Sequence, residues 1–234
     1  MQNQPLWIPS TERIQNSRMT EFISFAKGQN VDLPEDYEEL HQWSVTNKEQ
    51  FWQLIWDYFD VVGDKGDEIL RNPTAMPGAQ WFPGGRINFA ENLLRFSNNR
   101  EYKDLPAIIA YSETGQKQML SWHQLQQRAG ALAEFMKVKG VTKGDRVAAF
   151  MPNCADTVVA MLATTSLGAV WSSCSPDFGL QGVIDRFGQI APKLIIATTG
   201  YYYNGKVLDT RERVDAIRQN IDSLEYLIWH DYIP

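Results

Sequence analysis

A chain of 234 residues with 44% hydrophobic and 21% charged side chains has ordinary globular make-up, enough for one substantial core and a smaller appendage. The net charge of −6 comes without a basic stripe, which argues against a nucleic-acid partner. No apolar run approaches the roughly 20 residues of a membrane span, and no basic-then-apolar leader opens the chain. The separated Cys154 and Cys174 fit isolated buried thiols in a reducing cytoplasm.

Residues 1–33 are polar with scattered apolar anchors (Leu6, Trp7, Ile8, Phe22, Ile23, Phe25), and Leu33-Pro34 breaks the segment. Asn47 followed by Gln50 has the form of a capping box. Phe51, Leu54, Ile55, Tyr58, Phe59 and Val62 then recur at helical spacing as far as Gly63. The aromatic stripe along this helix (Phe51, Trp52, Ile55, Tyr58, Phe59) reads as a packing face, with a groove for a partner as the other reading. Residues 71–88 are dense in Pro and Gly and predict an ordered, irregular loop. Arg86, after two glycines, is expected to pin the N-terminal segment onto the main domain. Phe89–Phe96 is a second amphipathic stretch. The polar connector Ser97–Asp104 is where the chain is expected to divide, into a mostly helical appendage (1–100) and an α/β domain (101–234).

From residue 105 the period changes. Ala107–Tyr111 predicts a strand, with Gln118–Leu120 returning as its hairpin partner. Ser121 and Gln124 form a second capping box, opening a helix with Leu125, Ala129, Leu132, Ala133 and Met136 on one face. Arg146–Met151 is a strand, and the helix from Pro152-Asn153 stops at Gly168. Ala169–Ser173, a helix over Gly179–Ile190, Leu194–Thr198, a helix over Val207–Asn220 and a strand over Leu224–Trp229 complete the order. The alternation predicts a parallel β-sheet flanked by helices. Ending at Pro234, just after a strand, the chain is expected to belong to a longer polypeptide.

In 168–193, GAVWSSCSPDFGLQGVIDRFGQIAPK, an apolar strand runs into a small, polar loop and then a helix. Open α/β sheets place ligands at such strand ends. No glycine-rich phosphate loop is present; MPNCAD, after the first strand of the alternating region, lacks the glycines of a dinucleotide fold. His41, His123 and His230 lack ligand spacing, so no metal site is expected. Neither a G-x-S-x-G elbow nor a Cys–His nucleophile is visible, and no catalytic residue is assigned.

Three stretches, in order, carry a resemblance. WFPGGRINFAENLL (81–94) resembles the N-terminal signature of acetyl-CoA-synthetase-type acyl-CoA synthetases. KGDRVAAFMPNCADTVVAMLATTSLGAVWSSCSPDFG (143–179) is similar to the first strand–helix–strand of the adenylate-forming enzymes. WSSCSPDFG with DRFGQIAPK and YYYNGK (201–206) resembles more narrowly the acetoacetyl-CoA synthetases. The resemblance implies the first α/β subdomain of the adenylate-forming fold, behind an N-terminal helical appendage. It implies an AMP-forming ligase acting on acetoacetate, ATP and coenzyme A with Mg²⁺, and leaves open a sibling acting on another short acyl acid. ATP and Mg²⁺ are expected to be bound mainly by further sequence of the same polypeptide, the fragment alone being inactive. A non-catalytic binding module of the same fold is the rival.

The resemblance places the coenzyme's nucleotide on Ser175, Pro176 and Asp177, where relatives often carry an aromatic residue and two glycines. Asp177 would repel a phosphate, and its other reading is the N-cap of the following helix. Gly205 and Lys206 match a Gly-Arg pair that grips the 3′-phosphate in relatives, with Tyr203 where another arginine would stand. Lys is a single-point phosphate partner compared with bidentate Arg, and the other reading is a surface turn. Tyr201–Tyr203 are expected either to stack on adenine or to pack at the sheet rim. Arg186 is expected in an ion pair with Asp185 or a neighbouring element.

Overall fold

The computed structural model describes residues 6–233, which form two units dividing between Ile87 and Asn88. That division lies ahead of the polar connector 97–104. Its reason is local: Asn88 caps the helix Phe89–Leu94 and donates its side-chain amide to the carbonyls of Thr165 and Ser166. The amphipathic stretch after Asn88 is thereby tied to the second unit.

The first unit opens with four helices, α1 (Thr11–Gln15), α2 (Arg18–Gly28), α3 (Tyr37–Thr46) and α4 (Lys48–Tyr58). Ser10, Ser17 and Asp36 accept first-turn N–H groups of the first three, satisfying donors a helix start leaves free. Asn47 does not form the expected capping box. It ends α3 as it begins α4, and its side-chain amide is turned back onto the Trp43 carbonyl. Nor does α4 run to Gly63. Asp60 enters the left-handed region at φ 47°, and the Val61 N–H closes on the Trp56 carbonyl, a Schellman-type stop two residues past Tyr58. Phe22, Ala26, Leu33, Leu40 and Leu54 form the core, with Phe51, Ile55 and Tyr58 of the predicted face packed against it. Trp52 and Phe59 of the same stripe stay exposed, edge-on to Trp81 and Tyr58. The Pro/Gly-rich loop is irregular, as read. It is closed by two-residue pairings, β1 (Gly63–Asp64) with β4 (Arg86–Ile87) and β2 (Leu70–Arg71) with β3 (Gln80–Trp81).

The second unit begins with α5 (Phe89–Leu94), a 3₁₀ turn over Arg95–Asn98, and the hairpin β5 (Pro106–Tyr111) and β6 (Lys117–Ser121). The Ser121–Gln124 capping box is present in both directions at the start of α6 (Trp122–Val138). Then follow β7 (Arg146–Phe150), α7 (Ala155–Ser166), β8 (Val170–Cys174), α8 (Leu180–Ile190) and β9 (Leu194–Thr198). The remainder is β10 (Gly200–Tyr203), β11 (Lys206–Asp209), α9 (Arg211–Gln219) and β12 (Tyr226–His230).

Strands β12, β9, β7 and β8 lie in that order in one sheet, all parallel. The unit is thus α/β, a parallel sheet flanked by helices. Alternation along β7 sends Val147 and Ala149 to one face, against Met136 of α6 and Ala160 and Ala163 of α7. Ala148 and Phe150 face the other way, against Val183 and Phe187 of α8 and Val214 and Ile217 of α9. Burying a side chain such as Phe187 contributes about 1.5–3 kcal/mol. Both faces are covered, so β7 and β9 read as near-continuous apolar runs.

One predicted helix is corrected. Residues 206–209 do not begin a helix but form β11, paired antiparallel with β10. Asn204 (φ 49°) and Gly205 (φ 72°) both take left-handed backbone, the type I′ geometry that folds a two-residue hairpin. The helix starts only at Arg211.

Candidate functional site

The loop after β8 is built at the carboxyl end of the sheet. The Ser175 hydroxyl donates to the Asp177 carboxylate at 2.9 Å, and Pro176 between them is buried. Asp177 does not cap α8. The cap position is Gly179, without a side-chain bond, and the Asp177 carboxylate accepts from the Ser175 hydroxyl, with the Tyr201 phenol beside it. Burial, then the Asp177 contact, pushes the Tyr201 phenol above its ordinary value, with Arg213 opposing. From α9, Arg213 donates Nη1 to the Pro176 carbonyl at 2.7 Å and more weakly to that of Phe178 at 3.4 Å. The loop is therefore clamped from α9 by a guanidinium.

Arg186 makes no pair with Asp185. Consecutive helix residues do not face each other. Asp185 accepts from Gln181, whereas Arg186 lies over the Phe178 ring at 4.4 Å and donates to the Gly182 carbonyl. Burial raises the Cys174 thiol just before the loop, and the Arg186 charge opposes that rise.

The three tyrosines of β10 separate by strand alternation. Tyr201 is buried against the loop, Tyr202 meets Tyr232 edge-on at 5.9 Å, and Tyr203 is exposed. Tyr203, Gly205 and Lys206 sit together at the hairpin tip. There the Gly205 N–H donates to the carboxylate of Glu113, in the β5–β6 turn, at 3.4 Å. The loop 175–177 and the hairpin base are joined through Asp177 and Tyr201. Among the described residues no hydrogen bond or ion pair links that loop to Tyr203, Gly205 or Lys206.

A further constellation was missed in the sequence. Cys154, preceding α7, has its Sγ 3.9 Å from Nε2 of His230 at the end of β12. The Asp156 carboxylate lies 3.8 Å from the same nitrogen and also pairs with Arg128. Burial holds the His230 imidazolium below its ordinary pKa, against the opposing pull of Asp156. The sequence shows no Cys–His context because only the parallel sheet, with β9 between β7 and β12, brings these two carboxyl ends near each other. Chemistry-bearing residues at strand ends are the one signal that pointed there. Among the described residues no three His, Cys, Asp or Glu side chains converge to hold a metal ion.

Comparison with known proteins agrees with this architecture. The AMP-binding enzyme family model matches residues 96–230, and the acetyl-coenzyme A synthetase N-terminus model matches 37–93. An acetoacetyl-coenzyme A synthetase of Rhizobium meliloti (strain 1021) is 43% identical over 93% of this chain and 33% of its own length. The acetoacetyl-CoA synthetase of Gallus gallus is 36% identical over 100% of this chain and 34% of its own. The solved acetoacetyl-CoA synthetase from Streptomyces lividans superposes with a TM-score of 0.91 at 38% identity, covering 97% of this chain and 35% of that one. The chain spans about a third of the length of the relatives it matches. With the AMP-binding enzyme model matching residues 96–230, more than half of its length, this chain belongs to the AMP-binding enzymes.

Proposed function

We propose that this chain is the N-terminal part of an ATP-dependent, AMP-forming acetoacetate–CoA ligase that works in the cytoplasm. The observation that carries the reading is the superposition of nearly the entire chain on a solved acetoacetyl-CoA synthetase. In the proposed reaction the acetoacetate carboxylate attacks the α-phosphate of ATP, giving acetoacetyl-adenylate and diphosphate. The coenzyme A thiol then displaces AMP. Mg²⁺ would neutralise phosphate charge in the first step, and residues outside these 234 are proposed to hold it with ATP. No catalytic residue is assigned to this chain.

Its own proposed task is to receive the nucleotide end of coenzyme A. The Gly205 N–H at the hairpin tip already meets an anionic oxygen, that of Glu113, and exposed Lys206 is its neighbour. A phosphate displacing Glu113 gains the same N–H and a cation. Ser175, Pro176 and Asp177 form the proposed second contact. The Ser175 hydroxyl on Asp177 and the Arg213 guanidinium behind the loop moderate the repulsion that a bare carboxylate would exert.

Calorimetric titration of this chain with coenzyme A, and with its 3′-dephospho form, tests the pocket. Lys206→Glu is expected to weaken coenzyme A about tenfold, the worth of one charged contact. The 3′-dephospho form is expected to be much less sensitive. No binding at millimolar coenzyme rejects the pocket. Acetoacetate-dependent ATP–diphosphate exchange by a polypeptide of the relatives' length tests the activity, and exchange driven better by another short acid rejects the substrate.

A further inference from the structure

We propose that Cys154 is a covalent modification site, whose thiol adds to small activated alkenes of the α,β-unsaturated carbonyl class that enter the cavity beside it. The site is independent of the ligase reading.

The geometry supplies three requirements. The first is access: a cavity of about 330 Å³ opens beyond the carboxyl ends of β7 and β12, lined among others by Tyr111, Asn153, Cys154, Tyr202, His230 and Tyr232. That volume lies in the range of small-molecule sites. The second is a proton acceptor. Nε2 of His230 is 3.9 Å from the thiol; burial favours the neutral ring, whose Nδ1–H tautomer accepts a proton at Nε2. The third is stabilisation of the charges that develop. Cys154 is the N-cap of a 12-residue helix, so negative charge on Sγ faces its positive end. The imidazolium formed lies beside the Asp156 carboxylate. Thr157 Oγ1, 3.4 Å from Sγ, donates its own proton to the Pro152 carbonyl, so towards the thiol it is an acceptor that holds Cys154 in place.

The step balances without an external oxidant. The thiol proton passes to Nε2, sulfur bonds to the alkene β-carbon as the π bond breaks, and the proton returns from Nε2 to the α-carbon. No group leaves, and the adduct is a thioether.

Cys174 is the internal control. It is buried to a similar degree, 6% exposed against 9% for Cys154, but burial raises its thiol and no histidine adjoins it. The native chain is treated briefly with N-ethylmaleimide, and each cysteine is followed by peptide mass spectrometry. Cys154 is expected to react at least ~10-fold faster than Cys174, with the difference vanishing in urea. His230→Gln is expected to slow Cys154 about tenfold and leave Cys174 unchanged. Should that variant not fold, a polymer-linked maleimide on the wild-type chain serves instead. The cavity should exclude it, so Cys154 loses its advantage. Equal native rates, a Cys154 rate indifferent to His230→Gln, or undiminished reaction with the bulky reagent would each overturn the proposal.

Discussion

Removing the Arg213 side chain is the sharpest test of how the loop after β8 is held. In Arg213→Ala the Pro176 and Phe178 carbonyls lose their guanidinium donor, and the 2.7 Å bond to the buried Pro176 matters most. A hydrogen bond from a charged group contributes about 1.5–3 kcal/mol, and the 3.4 Å contact adds little. The variant should therefore cost ~2 kcal/mol, concentrated in residues 175–178 and α9. Arg213→Lys offers a single cation without the planar fork and should recover about half. Hydrogen exchange followed by mass spectrometry reads loop and helix peptides separately from the first unit. Peptides covering 175–178 and 211–219 should exchange about 30-fold faster in Arg213→Ala, the equivalent of ~2 kcal/mol. Protection within twofold of wild type would show that water replaces the clamp and refute the argument.

Two further outcomes are expected. In Gly200→Ala the new Cβ would press on the side chain of Ile233 and lie 2.6 Å from the Leu208 carbonyl. Overpacking against backbone should cost about 1–3 kcal/mol or more by urea denaturation, and a neutral change would contradict the close approach of β10 to its neighbours. For His230, NMR titration of the imidazole should give a midpoint below the ordinary 6.5. The unfolded chain then binds the proton more readily than the native one. Stability from keeping this ring neutral is complete above 6.5 and is lost as pH falls from there through the native value. A midpoint at or above 6.5 would reverse the sign.

The sheet was legible because its signals are local. Val147–Phe150 and Leu194–Ala197 are apolar without interruption, as strands covered on both faces must be, and the Ser121–Gln124 cap needs only three residues of context. The β10–β11 hairpin was legible too and was misread. Asn204-Gly205 between Tyr203 and Lys206 is a strong two-residue turn signal, at odds with a helix that starts at Val207. At the loop, Asp177 looked like a cap because caps are the usual employment of such a residue. Its carboxylate instead accepts from Ser175, two residues back, and the Tyr201 phenol beside it comes from across the fold with no local mark. The Cys154–His230 approach joins residues 76 apart, fixed by strand order alone, which no short window contains.

The order β12, β9, β7, β8 also bears on how the chain folds as it is made. β7 emerges before the others, β8 joins one side of it, β9 the other, and β12 then adds to β9. Every newcomer thus docks on an open margin, and no earlier pairing has to be prised apart to admit it. Assembly can keep pace with the ribosome, with β7 as the seed from which the layer grows outward.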